Sequence, residues 1–100
     1  MANSLFTIRK KKKEKHPQVV VGATRTSFDT VSLTHSPKGG GRTNIVLKNN
    51  PNDFDDRKAY LRKRVVRDFK FNFSKAFKNY HLSNEDIDEL IKYLKSKKKK

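Results

Sequence analysis

The sequence predicts a mainly β domain (α+β) that ends in one C-terminal helix. Three observations carry that class. Short apolar or alternating segments, separated by Pro, Gly and Asn turn signals, fill most of the first three quarters of the chain. An amphipathic run with caps and helical spacing occurs once, near the C-terminus. The length is 100 residues, which sets one small domain with a thin core over residues 1–100.

Leu5 to Ile8 is a short apolar segment read as a first strand. Residues 9–15 follow as a Lys-rich exposed loop, because like charges repel and resist packing. Val19 to Ala23, entered through His16-Pro17, is a continuous apolar run that suits a buried strand. Phe28 to Leu33 alternates, with Phe28, Thr30 and Ser32 on one face and Asp29, Val31 and Leu33 on the other. Residues 36–43 (Ser-Pro-Lys-Gly-Gly-Gly-Arg-Thr) read as a loop whose glycines leave amides open to an anion. Asn44 to Lys48 resumes as strand, and residues 49–53 turn. Residues 54–64 read equally as a short helix or a loop.

Val65 to Phe73 is predicted as a strand with Phe69, Phe71 and Phe73 on one face. A domain this small needs those rings in its core; the other reading is a platform on which bases stack. Arg67 shares their parity, so it lies beyond the core edge or a bulge resets the register. The terminal helix begins at Ser83 as N-cap, with Asp86 three residues on and Leu82 and Ile87 at hydrophobic-staple positions. Ile87, Leu90, Ile91 and Leu94 form its apolar stripe. The sum is a small β-barrel or half-barrel of SH3-like type, capped by a helix.

Charge narrows the function classes. Lys and Arg number 25 against 10 Asp and Glu, a net charge of +15. The Lys-rich loop at 9–15 and the basic tail at 97–100 supply +9 of it, so +6 belongs to the body of the domain. A polyanion partner follows. Cysteine is absent, which excludes disulfides and thiolate metal sites, and His16, His35 and His81 sit at no zinc spacing. No apolar run approaches the roughly 20 residues of a membrane span. The expectation is a cytoplasmic protein with no metal, no cofactor and no membrane partner. The one crowding of hydroxyls, imidazole and cation is Thr34-His35-Ser36-Pro37-Lys38.

The order of elements resembles the MazF/PemK family of small toxin ribonucleases, whose barrel the ToxN-type toxins share. The likeness runs from about His16 to Lys95. HPQVVVGA resembles the family's strand opening, VSLTHSPK the following strand and its hydroxyl-bearing turn, NIVLKNNP the next strand, and LSNEDIDELIKYL the terminal helix. The resemblance implies metal-independent cleavage of single-stranded RNA, in which a 2′-hydroxyl attacks phosphorus and leaves a cyclic phosphate. On that reading His16, Thr34 and Ser36 are catalytic, and Lys15, Arg25, His35, Lys38, Arg42 and Arg67 bind nucleic acid. His16 stands where many members have an Arg before Pro. A His supplies that charge only when protonated, or else moves a proton, with an effect on the order of 10²–10⁴-fold. A homodimer and a cognate antitoxin, protein or RNA, are the implied partners. The alternatives are a non-catalytic nucleic-acid-binding barrel and a protein-directed toxin of the gyrase-poison type.

Overall fold

A computed structural model describes residues 5–39, 42–52 and 57–98. Eight strands precede one helix: β1 (Ile8–Arg9), β2 (Gln18–Ala23), β3 (Ser27–Thr34), β4 (Lys38–Gly39), β5 (Arg42–Thr43), β6 (Ile45–Val46), β7 (Tyr60–Leu61), β8 (Val66–Phe69), and α1 (Asn84–Lys98). The main sheet is antiparallel in the order β1-β2-β3-β7-β6, with β8 also on β3. The predicted class, mainly β with a C-terminal helix, is the class observed.

The β2–β3 hairpin is the centre. Thr24 Oγ1 accepts the Ser27 amide at 3.0 Å and closes its turn. Along one edge β3 pairs with β2 from Ala23↔Phe28 to Gln18↔Ser32, with a register shift between Val20 and Gly22. Gly22 is needed there: a Cβ would come within 3.1 Å of Asp29 Oδ2. On the other edge β3 takes two partners. β7 pairs with Leu33 and Thr34, and β8 with Ser27 to Thr30.

The named strands do not close into a barrel. After β8 a 3-10 turn (Lys70–Asn72) carries the chain across to the outer edge of β1. There the Lys12, Ser74 and Phe77 amides donate to the carbonyls of Asn72, Lys10 and Ile8 at 2.8 Å each. The strand predicted for Val65–Phe73 therefore ends at Phe69. The loop predicted for 36–43 holds the small β4–β5 hairpin, whose tip residues 40–41 lie outside the described residues. Of the ambiguous 54–64 segment, residues 54–56 also lie outside, and 57–64 contain β7 and no helix.

Alternation along β2 and β3 divides the sheet into two faces. Val19, Val31 and Leu33 pack with Ile8, Leu61 and Leu90 in the core, under α1. Ile91, predicted for this stripe, is half-buried and outside the cluster; Leu90 takes the fully buried place. Ser83 caps the helix, its Oγ accepting the Asp86 amide at 3.2 Å. Asp86 itself is fully buried, and its carboxylate accepts the Lys48 and Asn49 amides at 2.8 and 3.2 Å. That pair of bonds locks the helix start to the strand end after β6.

Replacing Asp86 with Ala removes the acceptor of two part-buried amide bonds and is expected to cost about 2–3 kcal/mol. Chemical denaturation of D86A against wild type measures it; a cost below ~1 kcal/mol would mean the helix is held by its apolar face alone.

Candidate nucleic-acid interface

The residues singled out by sequence fall into two groups at opposite ends of β3. At its C-terminal end Thr34 is 7% exposed, and its hydroxyl accepts the Ser36 amide at 3.2 Å. The Ser36 carbonyl accepts Asn44 Nδ2 at 2.9 Å, which ties this turn to the strand after it. His35 is exposed, with Nδ1 3.0 Å from the Lys58 carbonyl, a bond made by the Nδ1–H tautomer. The Leu33 amide donates to the Pro17 carbonyl at 2.9 Å, continuing the Gln18↔Ser32 register. His16 is exposed beside the exposed Lys15, in a bend just before the residue that Leu33 contacts. Lys38 lies on β4, and Arg42 on β5 opposite Gly39.

Arg25 and Arg67 belong to the other end. Arg25 is exposed in the β2–β3 turn. Arg67 grips Asp29 across the β3–β8 pair, Nε to Oδ1 at 2.7 Å and Nη2 to Oδ2 at 3.1 Å. Arg67 stands opposite Asp29, five residues before Thr34, a separation of roughly 17 Å at ~3.3 Å per residue. Held there by Asp29, Arg67 does not meet Thr34 on one phosphate. The Arg67 ambiguity also resolves: it lies beyond the core edge, just after an irregularity at residues 62–65.

The phenylalanine stripe departs from its expected core placement. Phe69 is 53% exposed and Phe71 70% exposed. Their rings stack on each other, centroids 5.3 Å apart and planes 8° from parallel. Phe69 ends β8 on the exposed face it shares with Arg67, and the 3-10 turn that follows keeps Phe71 outside. Phe73 alone turns inward, edge-on to the buried Phe28 at 5.4 Å. The Phe28 ring also receives the Arg9 guanidinium at 4.9 Å and Lys70 Nζ at 5.3 Å. Burial pushes the Arg9 guanidinium down from its ordinary value.

The Lys-rich segment, exposed at residues 12–15, is tied to the domain by its backbone and by Lys11. The Glu14 amide donates to the Lys11 carbonyl at 3.1 Å, closing a turn in which Lys13 adopts φ 68°, a conformation that favours glycine. Lys11 reaches inward to Asp68 at 3.2 Å and lies over the Phe73 ring at 5.9 Å. Lys10, Lys12 and Lys13 line a groove of about 390 Å³ with Asn72, Phe73 and Ser74. Asp68 organises this region: its carboxylate accepts Asn72 Nδ2 at 2.8 Å and the Phe69 amide at 2.7 Å, and pairs with Lys11. These bonds, the one from Asn72 foremost, hold Asp68 below the usual carboxylate range. The Arg67 bond likewise lowers Asp29, against the opposing effect of burial.

The arrangement presents two stacked rings beside a cation-lined groove. The exposed pair was legible in sequence only as the second reading of the Phe stripe. Among the described residues no cluster of three or more His, Asp or Glu forms a metal site, and no helix is long and apolar enough to cross a membrane. Comparison with known proteins finds no matching family model and no matching curated protein.

Both depressed carboxylates add stability above their unfolded values, and lose it as the pH falls through the folded ones. Acidification below the ordinary carboxylate range should therefore loosen β8 and the turn after it. Amide exchange of Phe69 to Phe73 measures this. D29N/D68N should exchange faster at neutral pH and show a flatter acid response; an unchanged response would remove these pairs as its source.

Proposed function

We propose that this protein binds single-stranded nucleic acid through Phe69, Phe71 and the lysines of the 10–13 turn. The observation that carries this reading is the exposed, parallel phenylalanine pair on a chain of net charge +15. Apolar rings left in water on so thin a core are a cost to the free protein. Any base offers a π face to cover them, and base–aromatic stacking contributes about 1–3 kcal/mol per base. Phosphates of the same strand meet Lys10, Lys12 and Lys13, whose groove begins at Asn72, next to Phe71. Stacking selects unpaired bases, because those of a duplex already stack on one another.

F69A/F71A is expected to weaken binding of a single-stranded RNA oligonucleotide about tenfold or more while leaving the melting temperature unchanged. The salt dependence of its binding should stay as steep as in wild type. K10A/K12A/K13A should flatten it by about 0.7 in slope per lost phosphate contact. Fluorescence anisotropy over a salt series reads both. Equal affinity of wild type and F69A/F71A would rule the platform out.

A second reading is a metal-independent endoribonuclease with His16, Thr34 and Ser36 as its catalytic residues. It is favoured by the bond of the Leu33 amide to the Pro17 carbonyl, which brings together the chain neighbours of Thr34 and His16. Incubation of a long single-stranded RNA in EDTA with wild type and H16A tests it. Cyclic-phosphate ends that vanish in H16A support cleavage at this end of the sheet; intact RNA with wild type leaves the binding module.

A further inference from the structure

Between β7 and β8 the chain leaves the ladder. Leu33 pairs with Leu61 and Thr30 with Val66, so residues 62–65 stand opposite only Val31 and Ser32. Side chains still alternate through this excursion. Val65 packs on the core and Lys63 lines the groove beside α1. Arg62 and Arg64 point to the opposite face, into a pocket of about 200 Å³ completed by Lys11, Glu14, Gln18 and Ser32.

Its floor is built from buried polar groups. Gln18 is 4% exposed and held at both ends: Thr30 Oγ1 donates to Oε1 at 3.1 Å, while Nε2 donates to Ser32 Oγ at 3.0 Å and to the His16 carbonyl at 3.1 Å. The Ser32 hydroxyl in turn donates to Gln18 Oε1 at 3.3 Å, so Gln18, Thr30 and Ser32 satisfy one another and hold the floor rigid. Lys11 is shared with Asp68 at 3.2 Å. Arg62 and Arg64 have no ion-pair partner among the described residues. Glu14 is the one carboxylate in the lining. The volume is below the ~300 Å³ of the smallest ordinary ligand sites, which suits a small polyatomic group rather than a whole nucleotide.

We infer that this pocket is a phosphate site, with Arg62 and Arg64 as charged forks, the bonded Gln18–Ser32 pair as a fixed polar floor and Glu14 as a repulsive rim that limits affinity. Planar guanidinium groups match phosphoryl oxygens bidentately, and unpaired arginines beside a preorganised polar floor are what such a group needs. The inference rests on the proposed function in one respect: the natural source of the phosphate is the bound strand. Lys11 joins the two regions, lining this pocket from the same turn whose neighbours line the lysine groove.

The test titrates the full chain with inorganic phosphate and follows side-chain NMR signals. The Gln18 amide and the Arg62 and Arg64 guanidinium signals should shift saturably. R62Q/R64Q should abolish the shift, and R64Q alone, at an exposed position, should weaken binding if the double variant fails to fold. E14Q should tighten phosphate binding about threefold by removing an opposing charge. Shifts spread over the lysines of the turn and unchanged in R64Q or R62Q/R64Q overturn the pocket. Weaker binding by E14Q overturns phosphate as the ligand, since a group that needs the carboxylate is a donor, such as a base edge. F69A/F71A should leave the phosphate shifts intact, so strand binding and the pocket fail separately. A 5′-phosphorylated strand bound about tenfold tighter than its 5′-hydroxyl counterpart, with the gain lost in R62Q/R64Q, identifies a terminal phosphate. Equal binding of the two strands, weakened alike by R62Q/R64Q, identifies an internal phosphodiester.

Discussion

β3 is held by one strand along its first edge and by two along its second, and the rest of the molecule follows from that division. β7 serves the half that feeds the core and the helix. β8 serves the half that carries Asp29 and Phe28. A single unbroken partner would have kept residues 62–65 in the ladder. The break frees them, and strict alternation then sends apolar Val65 inward and the arginines out to the second face.

The two faces are stabilised by different physics. On the helix side, burial of Ile8, Val19, Val31, Leu33, Leu61 and Leu90 is the driving term, and Asp86 adds direction by tying the helix start to the Lys48 and Asn49 amides. On the other side the layer is thin and mixed. Phe28 lies beneath Phe73, Arg9 and Lys70, and Gln18, Thr30 and Ser32 satisfy one another. Cation–π contacts and internal hydrogen bonds let a basic chain cover this face with charged residues.

Much of the positive charge is therefore placed rather than smeared. Asp68 recruits Lys11 and shapes the 3-10 turn, which follows the exposed Phe69 and leaves Phe71 outside and Phe73 inside. The turn at residues 11–14 is laced to residues 72–74, so its lysines and the phenylalanine pair occupy adjoining parts of one surface. A polyanion with flat, unpaired bases matches both the charge and the shape of that surface. The Thr34 turn, where sequence concentrates its polar side chains, is instead well bonded internally through Ser36 and Asn44.

The sequence by itself determined the class, the central hairpin, the split of β3 into two faces and the capped C-terminal helix. These are local matters: period-two alternation, turn residues, and a Ser followed by acidic groups and an apolar stripe at helical spacing. Tertiary structure alone decided that the face of β8 shared by Arg67 and Phe69 lies outside, and that Phe71 and Phe73 part company at a turn that Asp68, Asn72 and the edge of β1 impose from elsewhere in the chain. It decided that Lys11 is an inward-reaching anchor, which a run of lysines does not reveal. It also placed Arg67 opposite Asp29, away from Thr34, and gathered Gln18, Ser32, Arg62 and Arg64 into one pocket. Those four residues lie on three segments, and only pairing across the sheet, with its break opposite Val31 and Ser32, brings them together.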